Sequence, residues 1–371
     1  MNKFIPVNEP LLDGNEKKYL VECIDTGWIS SEGPFVQRFE ETMAQVAGRT
    51  YGIAVCNGTV ALEVAVAALE LRPGDEIIMP SFTIISCAAA VIRRGCVPVL
   101  VDSDPDTWNM DVLQIEAKIT PRTKAIMVVH IYGLPVEMDA VLSLASRHGL
   151  RIIEDAAQMH GQTYKGRPCG SFGDISTFSF YPNKHVTTGE GGMLVTDDER
   201  LAERCRSLRN LCFQKKRFVH DELGYNFRMT NMQAALGMAQ TERLPEFVSR
   251  KRHMGKLYTE LLSAVPGIQL PLSKKEYAEN IYWVYGLILN DEVSFDAEEA
   301  MRRLANKDVG TRPFFWPMHE QPVFRSRGLF KGQSYPVAER LARRGFYIPS
   351  GLALTHEQME KAASAVVEIM K

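Results

Sequence analysis

The sequence predicts an α/β protein: a doubly wound, mostly parallel sheet covered by helices, followed by a smaller α+β unit. Three observations carry this. From about residue 50 to 200, short apolar runs alternate with stretches of helical periodicity, the pattern of strand–helix–strand repeats. The runs are apolar throughout rather than alternating, as expected when helices cover both sheet faces. After about residue 250 the texture changes to fewer elements separated by aromatic, proline-rich loops. We expect a first domain over residues 1–245, including an N-terminal arm, and a second over 246–371.

Strands are expected at 53–55, 76–79, 97–101, 125–130, 150–153, 175–180 and 193–195, each a short Val/Ile/Leu-rich run. Helices are expected at 60–71, stopped by Pro73-Gly74, and at 86–94, 138–148 and 199–209. Thr230 and Gln233 have the spacing of a capping box, so a helix opens there and runs towards Leu244, where Pro245 kinks or restarts it. Beyond it we expect a helix to Leu262, a strand over 282–289, a helix over 297–306, an aromatic loop over 312–319 and a last helix.

Composition excludes several classes. Of 371 residues 45% are hydrophobic and 24% charged, ordinary globular usage. The net charge of −2, from 43 basic and 45 acidic residues, argues against a nucleic-acid partner. Seven scattered cysteines without a C-x-x-C pair fit neither a disulfide framework nor a zinc ribbon, so we expect a reducing, cytoplasmic setting and no metal. No apolar run has the length of a membrane span and no signal-like run precedes the first strand, so no membrane partner is expected.

The chemistry concentrates in four places. Lys184 follows Pro182-Asn183 at the end of a strand-like run, beside the glycines at 189, 191 and 192. Asn57-Gly58-Thr59 joins a strand to a helix start, where first-turn amides and a hydroxyl seat a phosphate. Asp155 ends an apolar run, the place where α/β folds bind ligands. Facing a pyridine nitrogen at 4 Å, a carboxylate is worth about 4 kcal/mol at an effective dielectric of 20, roughly three pKa units. Glu154 is its rival; the shorter arm of Asp155 favours it. Ser179, five residues before Lys184, can bind a phosphate oxygen. Gln158 and His160 follow within a turn of Asp155, while His185 points away from Lys184 and is read as structural. An amine between a carboxylate and a phosphate seat suits pyridoxal 5′-phosphate.

Together these stretches resemble the DegT/DnrJ/EryC1/StrS family of sugar aminotransferases over nearly the whole chain. The resemblance rests on Gly27-Trp-Ile-Ser-Ser31 with Gly33, Asn57-Gly-Thr59, Pro73-Gly-Asp-Glu76, Ile153-Glu-Asp-Ala-Ala-Gln158, Gly173-Asp174, Ser179-Phe180, Lys184 and Gly189-Glu-Gly-Gly192. Gly224-Tyr-Asn-Phe-Arg-Met229, Arg312-Pro, and Pro317 with His319 complete it. It implies fold type I (aspartate-aminotransferase-like), pyridoxal 5′-phosphate, L-glutamate as donor, a nucleotide-linked ketosugar as acceptor, and a homodimer. Within the family the chain most resembles the perosamine-forming branch, which aminates C4 of GDP-4-keto-6-deoxymannose.

The resemblance also implies roles. Lys184 attaches the cofactor and shuttles a proton, Asp155 pairs with the pyridinium, and Gly58, Thr59 and Ser179 hold the phosphate. Asn226 would reach that phosphate from the neighbouring subunit, and Gln158 lies beside the ring. Trp28, Arg312, Trp316 and His319 are assigned to the substrate. Departures from the branch are Ile84 in place of a stacking aromatic, Gln158 for glutamate, Pro182 for glycine and Val219 for tryptophan; they bear on which sugar is used. The basic stretch 204–217 is either a diphosphate path or a solvated face. The family's 3-dehydratases carry histidine where Lys184 stands, so the lysine favours an aminotransferase.

Overall fold

Two helices, α1 (Glu16–Thr26) and α2 (Pro34–Val46), come first; neither is among the elements predicted above. The structure, a computed structural model, describes residues 4–216 and 218–371; Arg217, the end of the basic stretch, lies outside them. The predicted strands follow: β1 (Tyr51–Val55), β2 (Glu76–Pro80), β3 (Val97–Val101), β4 (Thr123–Val129), β5 (Arg151–Asp155), β6 (Ile175–Ser179) and β7 (Gly192–Thr196). They form one sheet in the order β1-β7-β6-β5-β4-β2-β3. Only β7 runs antiparallel to its neighbours; the other pairs are parallel. The intervening helices are α3 (Gly58–Ala68), α4 (Ile85–Arg93), α5 (Met138–His148) and α6 (Glu199–Arg209).

Covered on both faces, the central strands bury nearly every residue, which is why they lack alternation. One core lies on the side of α3 and α4 and contains Leu62, Ile77 and Met127. The other lies on the side of α2 and α5 and contains Phe39, Ile126 and Phe180. Helix α3 stops at Ala68, short of the expected 71, and Glu70 takes a left-handed φ of 54°.

Thr230 caps α7 (Asn231–Thr241) through the full reciprocal box with Gln233. The chain restarts as α8 (Leu244–Leu262) with Pro245 in its first turn, where a missing N–H costs nothing. A second sheet follows: β8 (Ile268–Gln269), β9 (Tyr285–Leu289), β10 (Arg312–Pro313) and β11 (Gly345–Ile348), ordered β8-β9-β11-β10. It packs with α9 (Ala297–Ala305), α10 (Pro336–Arg344) and α11 (His356–Ile369). Strand β9 begins at Tyr285 and not at 282. Tyr282 is left-handed (φ 48°) with its N–H donated to the Asn280 side chain, and its ring lies where a side chain on Gly255 would stand.

The strands of the first sheet come from residues 51–196 and those of the second from 268–348. The N-terminal arm, grouped above with the first domain, is hydrogen-bonded to the second: Ile5 N–H donates to Asp308 O, and Gly310 and Ser350 N–H donate to Ile5 O and Val7 O. Asn8 Nδ2 then donates to Pro182 O at 3.1 Å, two residues before Lys184. Among the described residues no helix is long and apolar enough to cross a membrane. All seven cysteines are free thiols.

Candidate active site

The carboxyl ends of the parallel strands converge on one cavity of about 630 Å³, within the usual range for small-ligand sites. β1 delivers Asn57, Gly58 and Thr59; the turn after β2 delivers Ile84 and Ser86; β5 ends in Asp155; β6 supplies Thr177 and Ser179. Lys184, Asn183 and Tyr181 come from the loop after β6, and Trp283, Phe315 and Tyr347 from the second unit. Of the residues singled out above, Asn57, Gly58, Thr59, Ile84, Asp155, Gln158, Ser179 and Lys184 line this space.

Lys184 is not at the strand end as expected. Strand β6 stops at Ser179, and Lys184 closes a turn through its N–H to Tyr181 O. Its Nζ rests 3.6 Å from the centre of the Trp283 ring. Burial lowers this amine from 10.5 to about 7, against the opposing pull of the Asp155 carboxylate. A substantial fraction is therefore the uncharged nucleophile near neutrality.

The two adjacent carboxylates separate because successive strand residues face opposite ways, a stronger reason than arm length. Glu154 is fully buried and accepts from the backbone N–H of Gly170, Phe172 and Gly173, from Ser176 Oγ and from His130 Nε2 at 3.1 Å. Since His130 Nδ1 accepts from Val136 N–H, its proton sits on Nε2. Burial pushes the Glu154 carboxyl up, but His130 and these backbone donors outweigh it and bring it to about 2. This is a structural knot. With a folded pKa below the unfolded 4.5, its contribution is complete above that value and lost as pH falls towards 2, about 3 kcal/mol. Glu154→Gln is expected to lower stability by about 3 kcal/mol or more and to flatten this acid dependence; denaturant titrations between pH 2 and 6 measure both.

Asp155 has few donors: Ala157 N–H at 3.0 Å to Oδ1 and the Cys87 thiol at 3.5 Å to Oδ2. Burial raises its pKa, opposed by Ala157 N–H, Lys184 and Cys87. A buried carboxylate this sparsely satisfied suits a cationic partner in the cavity.

At the other end, Asn57 caps α3 by accepting from Val60 N–H, leaving the amides of Gly58 and Thr59 at the cavity wall. Thr59 Oγ1 lies 2.8 Å from Ser86 Oγ. A side chain on Gly58 would place its Cβ 2.6 Å from Ser179 Cβ. Gly58→Ala is therefore expected to push the two walls apart and weaken retention of a phosphate-bearing ligand about tenfold, read by equilibrium dialysis with pyridoxal 5′-phosphate. Two buried polar atoms of lining residues, Thr177 Oγ1 and Asn183 Oδ1, have no partner among the described residues, which marks the site as built for a polar ligand. Gln158 Oε1 accepts from Tyr132 N–H at 2.5 Å, so the backbone fixes this side chain in the wall.

The remaining candidates are not brought to the cavity. Asn226 is exposed, on the segment that covers the outer edge of β1 where Val55 bridges to Arg228, and is itself bridged to Asn210. Trp28 is 49% exposed after α1. Trp316 is 47% exposed under the Arg343 guanidinium. His319 is 2% exposed and tied at both ring nitrogens, to Ser81 Oγ and Glu339 Oε1. Arg312 is exposed but pairs in register with Tyr347, which does line the cavity. His185 is buried against Ile281 O, as its structural reading requires. In the basic stretch Arg204 pairs with Glu222 and Arg209 with Glu40, and Arg206 lies over the Tyr51 ring. Trp283, Phe315, Tyr347, Tyr181 and Glu190 were not singled out above; the aromatic loop was the one signal pointing to Phe315.

The profile of the DegT/DnrJ/EryC1/StrS aminotransferase family matches residues 10–367. The chain belongs to this family. It is 43% identical to a GDP-perosamine synthase of Escherichia coli O157:H7, covering 96% of each chain. It is 40% identical to a GDP-perosamine synthase of Caulobacter vibrioides, covering 99% of this chain and 98% of the relative. Its structure superposes on the aminotransferase TlmJ from Streptoalloteichus hindustanus with a TM-score of 0.91 at 31% identity, over 98% of both chains. As a DegT-family aminotransferase the protein uses pyridoxal 5′-phosphate. The cavity fits that group on this chain's own geometry: a sparsely satisfied carboxylate, an amine of lowered pKa and a close-packed Gly58–Ser179 seat.

Proposed function

We propose that the protein transfers the amino group of L-glutamate to C4 of a nucleotide-linked 4-keto-6-deoxy sugar, with GDP-4-keto-6-deoxymannose as first acceptor and GDP-perosamine as product. The observation that carries the chemistry is Lys184, with its amine near 7, electrostatically coupled to buried Asp155 in one cavity. The acceptor rests on the two GDP-perosamine synthases at 43% and 40% identity. Bound here, pyridoxal phosphate supplies the aldehyde that carries the amino group and a ring that spreads carbanion charge.

In this reading Lys184 would hold the cofactor aldehyde and, when free, would move the proton at the reacting substrate carbon. Asp155 keeps the ring nitrogen protonated. Gly58, Thr59 and Ser179 would hold the phosphate through N–H and O–H donors, and Gln158 would border the rest of the group. Phe315, Tyr347 and Tyr181 add aromatic surface to the cavity lining. Glutamate leaves as its 2-keto acid and the ketosugar leaves as the amino sugar. Among the described residues lining the cavity Lys184 is the one cation, so the described lining offers the phosphate seat no separate positive counterpart. This favours a homodimer in which Asn226 and its segment complete the partner's site. Arg312, Trp316 and Trp28 are then candidates for the sugar nucleotide at the mouth. The free cysteines favour a reducing cytoplasm.

A second reading keeps the chemistry but changes the acceptor to a 3-keto nucleotide sugar or a keto sugar acid; Ile84 and Gln158 in the cavity wall motivate it. Incubating the cofactor-loaded protein with glutamate and a panel of ketosugars, with mass detection of aminated product, separates the two. GDP-4-keto-6-deoxymannose is expected to be aminated. If it is ignored while another acceptor reacts, the substrate proposed here is wrong.

A further inference from the structure

We propose that Trp283 is the positioning residue for Lys184, holding the free amine at a fixed place in the cavity whenever it is not attached to the cofactor. The inference rests on the reading of Lys184 as the reacting amine and adds a residue to it. Two independent contacts carry it. The indole Nε1–H donates to Asn183 O at 2.7 Å, pinning the carbonyl of the residue immediately before Lys184. The face of the same ring receives Lys184 Nζ at 3.6 Å from its centre, well inside cation–π range.

Trp283 is itself anchored. It is 4% exposed, and its backbone carbonyl accepts from Nζ of Lys251, a second buried lysine that also donates to Ser350 O. The indole packs on Tyr132 and Tyr347. Anchor, ring and lysine thus form one rigid stack from α8 to the cavity. A long flexible side chain has several rotatable bonds to restrain before its amine can act on one carbon. The ring face against the amine and the indole N–H on the preceding backbone carbonyl supply that restraint. The electrostatic neighbours of the amine are Asp155, His160, His185 and Lys251. Of these, Asp155 favours the charged form; burial disfavours it, and the ring face adds to the side of Asp155.

The test is competitive labelling of Lys184 with acetic anhydride across a pH series in the full-length protein, cofactor-free and glutamate-treated, read by peptide mass spectrometry. Trp283→Leu removes ring and donor together and is expected to lower the labelling midpoint by about one pH unit. Trp283→Phe keeps a ring without the N–H, and its midpoint is expected between those of Leu and wild type. In turnover, kcat is expected to fall about tenfold in both while KM for the acceptor stays within about twofold. An unchanged midpoint in a variant whose thermal unfolding matches wild type overturns the proposal. If the Leu variant does not fold, the Phe variant decides by the same criterion. Labelling needs no ketosugar, so a shifted midpoint without amination of any acceptor sinks the proposed function and leaves this inference standing.

Discussion

Lys184→Ala is expected to lower amino transfer from glutamate by about 10⁴-fold or more. Positioned acid–base catalysis alone contributes about 10² to 10⁴, and loss of the attaching amine adds to it. Because burial already disfavours the charged amine, its removal is not expected to reduce thermal stability. Three readouts follow: mass detection of product, the visible band of the cofactor-loaded protein, and the peptide labelled by borohydride. Lys184→Arg keeps a charge but cannot attach the aldehyde, and is expected to be equally inactive. Many turnovers by the alanine protein remove the lysine from its assigned role.

Asp155→Asn is the second large effect. A carboxylate facing a ring nitrogen is worth about 4 kcal/mol at close range, so kcat is expected to fall by about 10³ while cofactor retention, set mainly by the phosphate seat, changes little. The substitution has a second signature with a defined sign. Asp155 is the group that holds the Lys184 amine up against burial, so the asparagine protein should show that amine titrating below about 7. A loss of less than tenfold in kcat, or an unmoved amine, places the charge partner elsewhere. Glu154 is the wrong alternative on geometry, since its carboxylate is consumed by five donors on the opposite face of β5.

The large sheet was legible because its strands are short apolar runs punctuated by Pro73-Gly74 and by helices with clear periodicity. Helix α1 was not, since only Glu16 and Cys23 are buried on it; α2 was missed although Phe35, Val36, Phe39 and Met43 mark one helical face behind Pro34 in its first turn. The cavity core was readable because Gly58, Thr59, Asp155, Ser179 and Lys184 all sit on or just past strand ends within 130 residues of chain. Its walls were not. Trp283 and Tyr347 arrive from the second sheet, and no local pattern reveals which aromatic residues a long-range packing will turn inward. His319 shows the converse: in a loop rich in aromatics it reads as a ligand-facing group, yet Ser81 and Glu339 occupy both nitrogens. Asp155 rather than Glu154 lines the cavity because of strand alternation, which arm length, the reason available from the sequence, does not capture.

Residues 5–8 are bonded to the second sheet's surroundings and, through Asn8, to the carbonyl of Pro182, so this short segment acts as a guy-line to the reactive loop. Fusion partners and purification handles are therefore best placed at the opposite terminus, after α11. Trimming residues 1–9 should be judged by how the reactive amine behaves, not by expression yield alone.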